Sequence, residues 1–176
     1  IAGITRATRD PVNGRIERDA RGEPMGTLRE SAQDLVRGHM PPYTDDVYFA
    51  GLTRGVAMAA RFGITSLQEA DAEEQVVRAY ARADSLGRLP VRALVNLHVD
   101  LDRGPEQVQH LDSLRTRYMR GLVRPVGAKI FMDGVIEGQT AALLAPYTDR
   151  PGYQGELNAS QDQMNALVHA LDSAGF

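Results

Sequence analysis

One short apolar stretch, Gly127 to Gly134, carries a lysine in its middle and ends in Asp-Gly. A strand inside a barrel or a parallel sheet is normally almost entirely apolar. Burying an ammonium group costs several kcal/mol unless the group is paired, neutralised or used chemically. We therefore expect Lys129 to serve a function at the C-terminal end of a strand predicted over 128–132.

The pattern along the rest of the chain alternates between strands and helices, which is typical of parallel β/α units. Three strands cannot close an eight-stranded β/α barrel, which takes roughly 250 residues. The α/β fold is therefore either a small open sheet or about half of a barrel. The predicted strands cover 64–67, 91–97 and 128–132, and the predicted helices cover 44–62, 73–86, 105–119 and 160–174.

Residues 1–43 are predicted to form a small polar hairpin insert and a short helix, ahead of a partial barrel over 44–176. The segment Asp10–Gly14 is a turn signal that contains Asn-Gly, the dipeptide most typical of hairpins. Weak alternation follows it over 15–19. Apolar spacing then predicts the short helix over 28–36.

Helix ends are marked by residues with a known preference for those positions. Thr44 and Ser160 are expected N-caps, and Asp45 and Asp46 suit the first turn of the helix that Thr44 opens. Gly63 is expected to adopt a left-handed conformation just beyond that helix. Its apolar face is predicted to consist of Val47, Leu52, Val56, Ala59 and Phe62.

Composition excludes several classes of function. The formal net charge is -3, so no field attracts the chain to nucleic acid or to an anionic membrane. The lack of cysteine excludes disulfides, thiolate metal sites and a cysteine nucleophile. With no signal peptide and no apolar run of membrane length, we expect a cytoplasmic protein. Because the chain opens on Ile1 and stops just after a helical pattern, we expect a piece of a longer protein.

Alternation along the third predicted strand places Lys129, Phe131 and Asp133 on one side, towards the barrel mouth where active sites lie. The alternative is a lysine that reaches solvent or pairs with a carboxylate. The second strand ends with His98, which is a candidate for the same mouth, although a lone histidine is more often structural. Asp71 fits a solvated loop or a helix cap better than a site.

The segment 138–149 follows the lysine strand and is too long for an ordinary turn. Such a loop at a barrel mouth often shapes the substrate pocket. The alternative is a short packed helix that contributes Ala141, Leu144 and Tyr147 to a satellite core. No His-x-His motif, glycine-rich phosphate loop or Gly-x-Ser-x-Gly motif is present in the sequence.

Several stretches together resemble the amidohydrolase superfamily, and more closely its YtcJ-like metal-dependent amidohydrolases. Lys-Ile-Phe-Met-Asp-Gly from Lys129 is followed by Thr-Ala-Ala-Leu from Thr140 and by Pro-Tyr-Thr-Asp from Pro146. Gly-Thr-Leu-Arg-Glu-Ser-Ala from Gly26 and Gly-Ile-Thr-Ser from Gly63 also agree. The resemblance runs in order along nearly the whole chain and implies a partial (β/α)8 barrel of about strands two to four.

The resemblance implies hydrolysis of an amide or formamide C–N bond by water activated on a divalent metal, with zinc as the default and iron or manganese as alternatives. It implies that Lys129 is a metal donor, because many members carry a lysine on the fourth strand that becomes an anionic oxygen donor when it is carboxylated. We expect the substrate wall to include five further residues, and we expect the chain alone to be inactive because the other metal ligands of the family are absent. The substrate-wall residues are Phe131, Asp133, Gly134, Thr140 and His98.

Two other functions stay open. In one, Lys129 attacks a substrate carbonyl to form a Schiff base, as a desolvated lysine can. In the other, the chain is a non-enzymatic module that associates with itself. The expected partners are a small-molecule substrate and a second copy bound through exposed sheet edges, and neither nucleic acid nor a membrane.

Overall fold

The computed structural model describes residues 1–11 and 14–176, which form two compact units. The first unit comprises Ile1–Pro42 and Met132–Asn158, and the second comprises Tyr43–Phe131 and Ala159–Phe176. The predicted Asn-Gly turn falls on a segment whose residues 12 and 13 lie outside the described part.

The first unit begins with an antiparallel hairpin of β1 (Gly14–Arg18) and β2 (Pro24–Glu30). Ile16 pairs with Leu28 and is the buried residue of β1. The chain reverses after β1, where the Gly22 amide donates to the Asp19 carbonyl at 2.9 Å. The predicted polar hairpin is therefore present, with its turn after β1.

The short helix predicted over 28–36 is wrong in its first half. Leu28 lies in β2, and only a 3₁₀ turn (Ser31–Gln33) and the single-turn helix α1 (Asp34–Arg37) are helical. The apolar spacing that suggested a helix also fits a strand, because Leu28 pairs with Ile16 across the hairpin.

The second unit contains a parallel sheet and the longer helices. Its three strands lie in the order β3-β4-β5, and consecutive strands pair in parallel. This arrangement confirms an α/β fold built from parallel β/α units. The elements are α2 (Asp45–Arg61), β3 (Ser66–Ala72), α3 (Glu74–Ser85), β4 (Arg92–His98), α4 (Gln107–Tyr118), β5 (Val123–Lys129) and α5 (Gln161–Ser173).

Both predicted N-caps are confirmed. The Thr44 side chain accepts a hydrogen bond from the Val47 amide at the start of α2. Ser160 and Gln163 form a reciprocal capping box at the start of α5. Gly63 has φ +77° just after α2, which is the left-handed conformation predicted for it.

One face of the parallel sheet is covered by helices and buried. The other face, called the open face below, is exposed to solvent, and on it Leu94 is 46% exposed and Val126 is 40% exposed. Parallel sheets are normally covered on both faces. The buried face and the helices on it share one core, which includes Val77, Tyr80, Ala93, Val95, Leu97, Leu111, Leu114 and Val123.

The predicted apolar face of α2 is only partly correct. Phe49 and Val56 are buried in the core, whereas Phe62 is 79% exposed and Val47 is also exposed. In the described part of the chain, no helix is both long and apolar enough to cross a bilayer.

A β-bulge in β3 re-aims the end of that strand. Glu69 pairs with Val95, but the next pair in register is Ala72 with Leu97, so β3 uses one residue more than β4. An extra residue reverses the alternation of side chains beyond it. Ala72 therefore takes the buried position, and Asp71 lies on the open face.

A second bulge lies in β5, on the other side of β4. Arg124 pairs with Leu94 and Gly127 with Asn96, so β5 also uses one extra residue here. Without it, Lys129 would face the helices. With it, Lys129 becomes the register partner of His98 on the open face.

Candidate functional site

The ends of β4 and β5 bring together three residues predicted for the site. Lys129 is half-buried, and its ammonium lies 4.5 Å from the centre of the Phe131 ring. The His98 ring lies 6.1 Å from the Phe131 ring, tilted by 41°. Parallel strands present their functional groups at their C-terminal ends, and these three residues lie at that edge.

The strand that carries Lys129 differs from its predicted bounds. β5 runs over Val123–Lys129, so the lysine ends the strand and does not lie in its middle. Ala128 and Ile130 pack against the core, as predicted for the side opposite Lys129. The strand begins earlier because Val123 and Pro125 supply its buried positions.

Asp71 lies beside His98 at the end of β3, although its sequence context favoured a loop or a cap. Its Oδ1 lies 2.9 Å from Nδ1 of His98, and both side chains are about one-third exposed. The prediction failed because the strand was expected to end at Leu67, whereas β3 continues to Ala72. The signal available in the sequence was the histidine itself, since a carboxylate commonly orients such a ring.

Two other polar residues near these strand ends have structural roles. Glu69 accepts a hydrogen bond from the Tyr80 hydroxyl at 3.2 Å, and burial, together with this carboxylate, raises the pKa of Tyr80. Asp100 accepts from the Asp102 amide at 2.9 Å, and its backbone carbonyl accepts from Gln107 at 2.8 Å. These contacts fix the loop before α4.

In the first unit, predicted substrate-wall residues hold the long loop together. Asp133 accepts from the Ala142 amide at 2.9 Å. Thr140 donates to Glu30 at 2.7 Å and accepts from the Val135 amide at 2.9 Å. A substrate role for Asp133 and Thr140 stays a prediction, and it would have to coexist with these contacts.

Gly134 is required by the same loop. A Cβ at this position would clash with the Thr140 side chain. Between Gly134 and Glu156 the structure has no regular helix, so the packed-helix alternative is wrong. Ala141 and Tyr147 are buried, and the Tyr147 hydroxyl donates to the Ala141 carbonyl at 2.9 Å.

Lys129 is the only lysine in the chain, and every other member of the 20 Lys and Arg residues is an arginine. Guanidinium groups stay charged in proteins, whereas a lysine amine can lose its proton and react. The side-chain amine chemistry of this chain is therefore confined to one residue at the end of β5.

These residues do not by themselves fit a metal ion. Across residues 1–11 and 14–176, no three His, Asp, Glu or Cys side chains cluster closely enough to hold one. An ammonium group has no free lone pair, so Lys129 could contribute a metal ligand only after it lost its proton or became carboxylated. A complete site would need donors additional to these.

Comparison with known proteins identifies the family to which this chain belongs. The amidohydrolase family model matches residues 2–176. The YtcJ protein of Bacillus subtilis (strain 168) is 31% identical over 181 residues, which cover 99% of this chain and 33% of the relative. The exoenzymes regulatory protein AepA of Pectobacterium carotovorum subsp. carotovorum is 31% identical over 180 residues, which cover 100% of this chain and 38% of AepA.

Two solved structures share the fold. An uncharacterized metal-dependent hydrolase from Pyrococcus horikoshii OT3 superposes with a TM-score of 0.67 at 20% identity, over 90% of this chain and 32% of that one. Its counterpart from Pyrococcus furiosus gives 0.67 at 23% identity, over 85% and 31%. The chain thus spans about a third of the length of the relatives it matches. The family match over residues 2–176 confirms the resemblance, and the chain belongs to the amidohydrolase family.

Proposed function

We propose that these 176 residues are one part of a metal-dependent amidohydrolase that hydrolyses an amide-type C–N bond of a small molecule. The family match supports the hydrolase class, and the two solved structures with this fold are described as metal-dependent hydrolases. In this proposal residues 1–43 are an insert, and 44–176 are a partial β/α barrel in which β3 to β5 are the second to fourth barrel strands.

The observation that carries the proposal is the position of Lys129 on the open face, at the C-terminal end of β5 beside His98. We assign Lys129 the role of an anionic donor after carboxylation. The neutral amine attacks carbon dioxide, an N–C bond forms, and one proton leaves for solvent. When bound, a divalent metal such as zinc, iron or manganese supplies Lewis acidity and lowers the pKa of water.

The residues of this chain would then bind and orient the substrate. Phe131 offers an apolar ring beside Lys129, which suits an aromatic or aliphatic substituent. Asp133, Gly134 and Thr140 support the loop that follows, and the proposal gives them a place in the substrate wall. His98 contributes a polar group beside Phe131.

The chain's single lysine makes the proposed carboxylation directly testable. Protein equilibrated with ¹³C-bicarbonate should show a carbamate carbon resonance that is lost in the Lys129→Arg variant. The amine of Ile1 can also react, and a sample blocked at its N-terminus separates the two signals. A wild-type spectrum with no carbamate other than that of Ile1, with and without added zinc, would contradict the assignment of Lys129.

Activity provides the second test. We expect the 176-residue chain to hold almost no tightly bound metal and to lack amide hydrolysis, because its described residues do not assemble three ligands. A longer gene product that includes this chain should hydrolyse amides and lose activity on Lys129→Ala. Hydrolysis by the 176-residue chain alone, abolished by Lys129→Ala, would overturn the assignment of a partial site.

A further inference from the structure

We propose that Asp71 is a positioning residue that fixes His98 as a hydrogen-bond acceptor for an N–H group of the substrate. The site would therefore select amides that carry at least one hydrogen on nitrogen. This inference deepens the proposed function and rests on it, because the ligand is a substrate only if the chain is part of an amidohydrolase. The arrangement of Asp71 and His98 itself does not depend on catalysis.

The argument begins with the contact between the two side chains. Nδ1 of His98 lies 2.9 Å from Oδ1 of Asp71, which is a normal hydrogen-bond distance. An ionised carboxylate can only accept, so the hydrogen lies on Nδ1. In the neutral ring Nε2 then carries a lone pair and no hydrogen, and the ring presents an acceptor.

The surroundings of the ring indicate what this acceptor can meet. Among residues 1–11 and 14–176, no side chain or backbone group forms a hydrogen bond with Nε2 of His98. The ring lies against Phe131, beside which the Lys129 ammonium also lies. A ligand could pack an apolar group on the Phe131 ring and donate a hydrogen bond from its N–H to Nε2 of His98.

Asp71 reaches this position because the regular pairing of β3 with β4 is interrupted. The bulge between Glu69 and Ala72 interrupts the β3–β4 ladder, and without it Asp71 would face the helices. The matching bulge in β5 brings Lys129 to the same face. Asp71, His98 and Lys129 share one face because the two strands on either side of β4 are both irregular.

The first experiment reads the tautomer of His98 by long-range ¹H–¹⁵N NMR on the ¹⁵N-labelled 176-residue chain at pH 8. His98→Gln identifies its signals among the four histidines. We expect the Nδ1–H tautomer in the wild type and a mixture with a raised Nε2–H fraction in Asp71→Asn. Asp172→Asn is the matched control, because it makes the same change on an exposed part of α5.

The second experiment measures binding of two probes by chemical-shift changes at Phe131 and His98. N-Methylbenzamide carries one N–H, and N,N-dimethylbenzamide carries none. A net hydrogen bond of ordinary strength predicts about a three- to tenfold tighter dissociation constant for the first probe. The difference should disappear in His98→Leu, which has no acceptor and is read at Phe131 alone, shrink in Asp71→Asn and persist in Asp172→Asn.

An Nε2–H tautomer or a doubly protonated ring in the wild type would overturn the inference, and so would equal binding of the two probes. If Asp71→Asn fails to fold, the inference is still tested by the His98 tautomer and by the ratio of the two probes' dissociation constants, both measured on the wild type. If the 176-residue chain shows the Nδ1–H tautomer and the N–H preference but the longer gene product has no amidase activity, the proposed function is wrong and this inference stands. Amidase activity without the tautomer would defeat this inference alone.

Discussion

His98 and Lys129 are register partners on β4 and β5, and both side chains lie against the Phe131 ring. The ammonium lies within the distance at which a cation and an aromatic face attract each other. The centre of the His98 imidazole lies 6.1 Å from the centre of the same ring. Phe131 is therefore the residue whose removal should change Lys129 and His98 together.

Replacing Phe131 with leucine should make Lys129 more reactive. The Lys129 ammonium lies 4.5 Å from the centre of the ring, and a cation–π contact at a partly exposed site is worth about 0.5–1 kcal/mol. Its loss should raise the rate of acylation of Lys129 about two- to fivefold, measured by mass spectrometry of the peptide that holds the chain's only lysine. Phe62→Leu is the control, because that ring is 79% exposed on another part of the second unit. An unchanged rate in Phe131→Leu would contradict the cation–π contact.

Gly134→Ala should loosen the loop of the first unit. The added methyl group would clash with Thr140, which bonds Glu30 and the Val135 amide. We expect a loss of about 1–3 kcal/mol in unfolding free energy and faster hydrogen exchange at the Val135 amide. Gly51→Ala is the matched control on α2, where no atom apart from its chain neighbours and the backbone of its own helix lies within 4 Å of the new methyl group.

The control should change stability in the opposite direction. Alanine in a helix interior is favoured over glycine by about 0.5–1 kcal/mol, so Gly51→Ala should stabilise the chain. Equal exchange at Val135 in Gly134→Ala and in the wild type would show that Thr140 does not hold this loop.

Local signals in the sequence predicted the four longer helices and their ends well, although not the short helix over 28–36. Thr44 and Ser160 act as caps because their side chains satisfy amides within the first turn, which requires no long-range information. The alternation of strands and helices likewise predicted the parallel sheet. The side of Lys129 relative to Ala128 and Ile130 was predictable too, because the strand is regular beyond its bulge.

The position of Asp71 could not be predicted in the same way. It depends on a bulge, and a bulge is defined by register against a neighbouring strand that the sequence does not display. Leu28 was assigned to a helix for a related reason, because its partner Ile16 lies across a hairpin. Phe62 was expected in the core, but nothing in its own segment distinguishes a buried apolar position from an exposed one.

Tyr80 should make the stability of the second unit sensitive to alkaline pH. Burial and the Glu69 carboxylate raise the pKa of Tyr80, so the folded state holds the phenol proton more tightly than the unfolded state. The resulting stability is fully present below the ordinary tyrosine pKa of about 10 and is lost as pH rises towards the folded-state pKa.

Tyr80→Phe should therefore flatten the fall in unfolding free energy above pH 10. At pH 7 the variant should be less stable by about 1 kcal/mol, since it loses the hydrogen bond to Glu69. Urea unfolding followed by circular dichroism between pH 7 and 11 measures both effects. Identical pH profiles for the variant and the wild type would show that Tyr80 does not contribute to the alkaline loss.

We propose that the 176-residue chain associates with itself through its parallel sheet. β3 and β5 are the edge strands of the described sheet, and the open face carries Leu94 and Val126. An uncovered parallel sheet exposes both unpaired backbone groups and apolar side chains, which favours pairing with another chain. We expect light scattering at micromolar concentration to give a mass above that of one 19.2 kDa chain.

The double variant Leu94→Glu and Val126→Glu should shift this equilibrium towards the monomer, because two carboxylates on the open face oppose close approach of an identical surface. Leu144→Glu is the control: it places one such carboxylate on a fully exposed leucine of the first unit and should leave the mass unchanged. A wild-type monomer across the whole concentration range would end the proposal of self-association. An oligomer that resists the double substitution would instead exclude the open face as its contact surface.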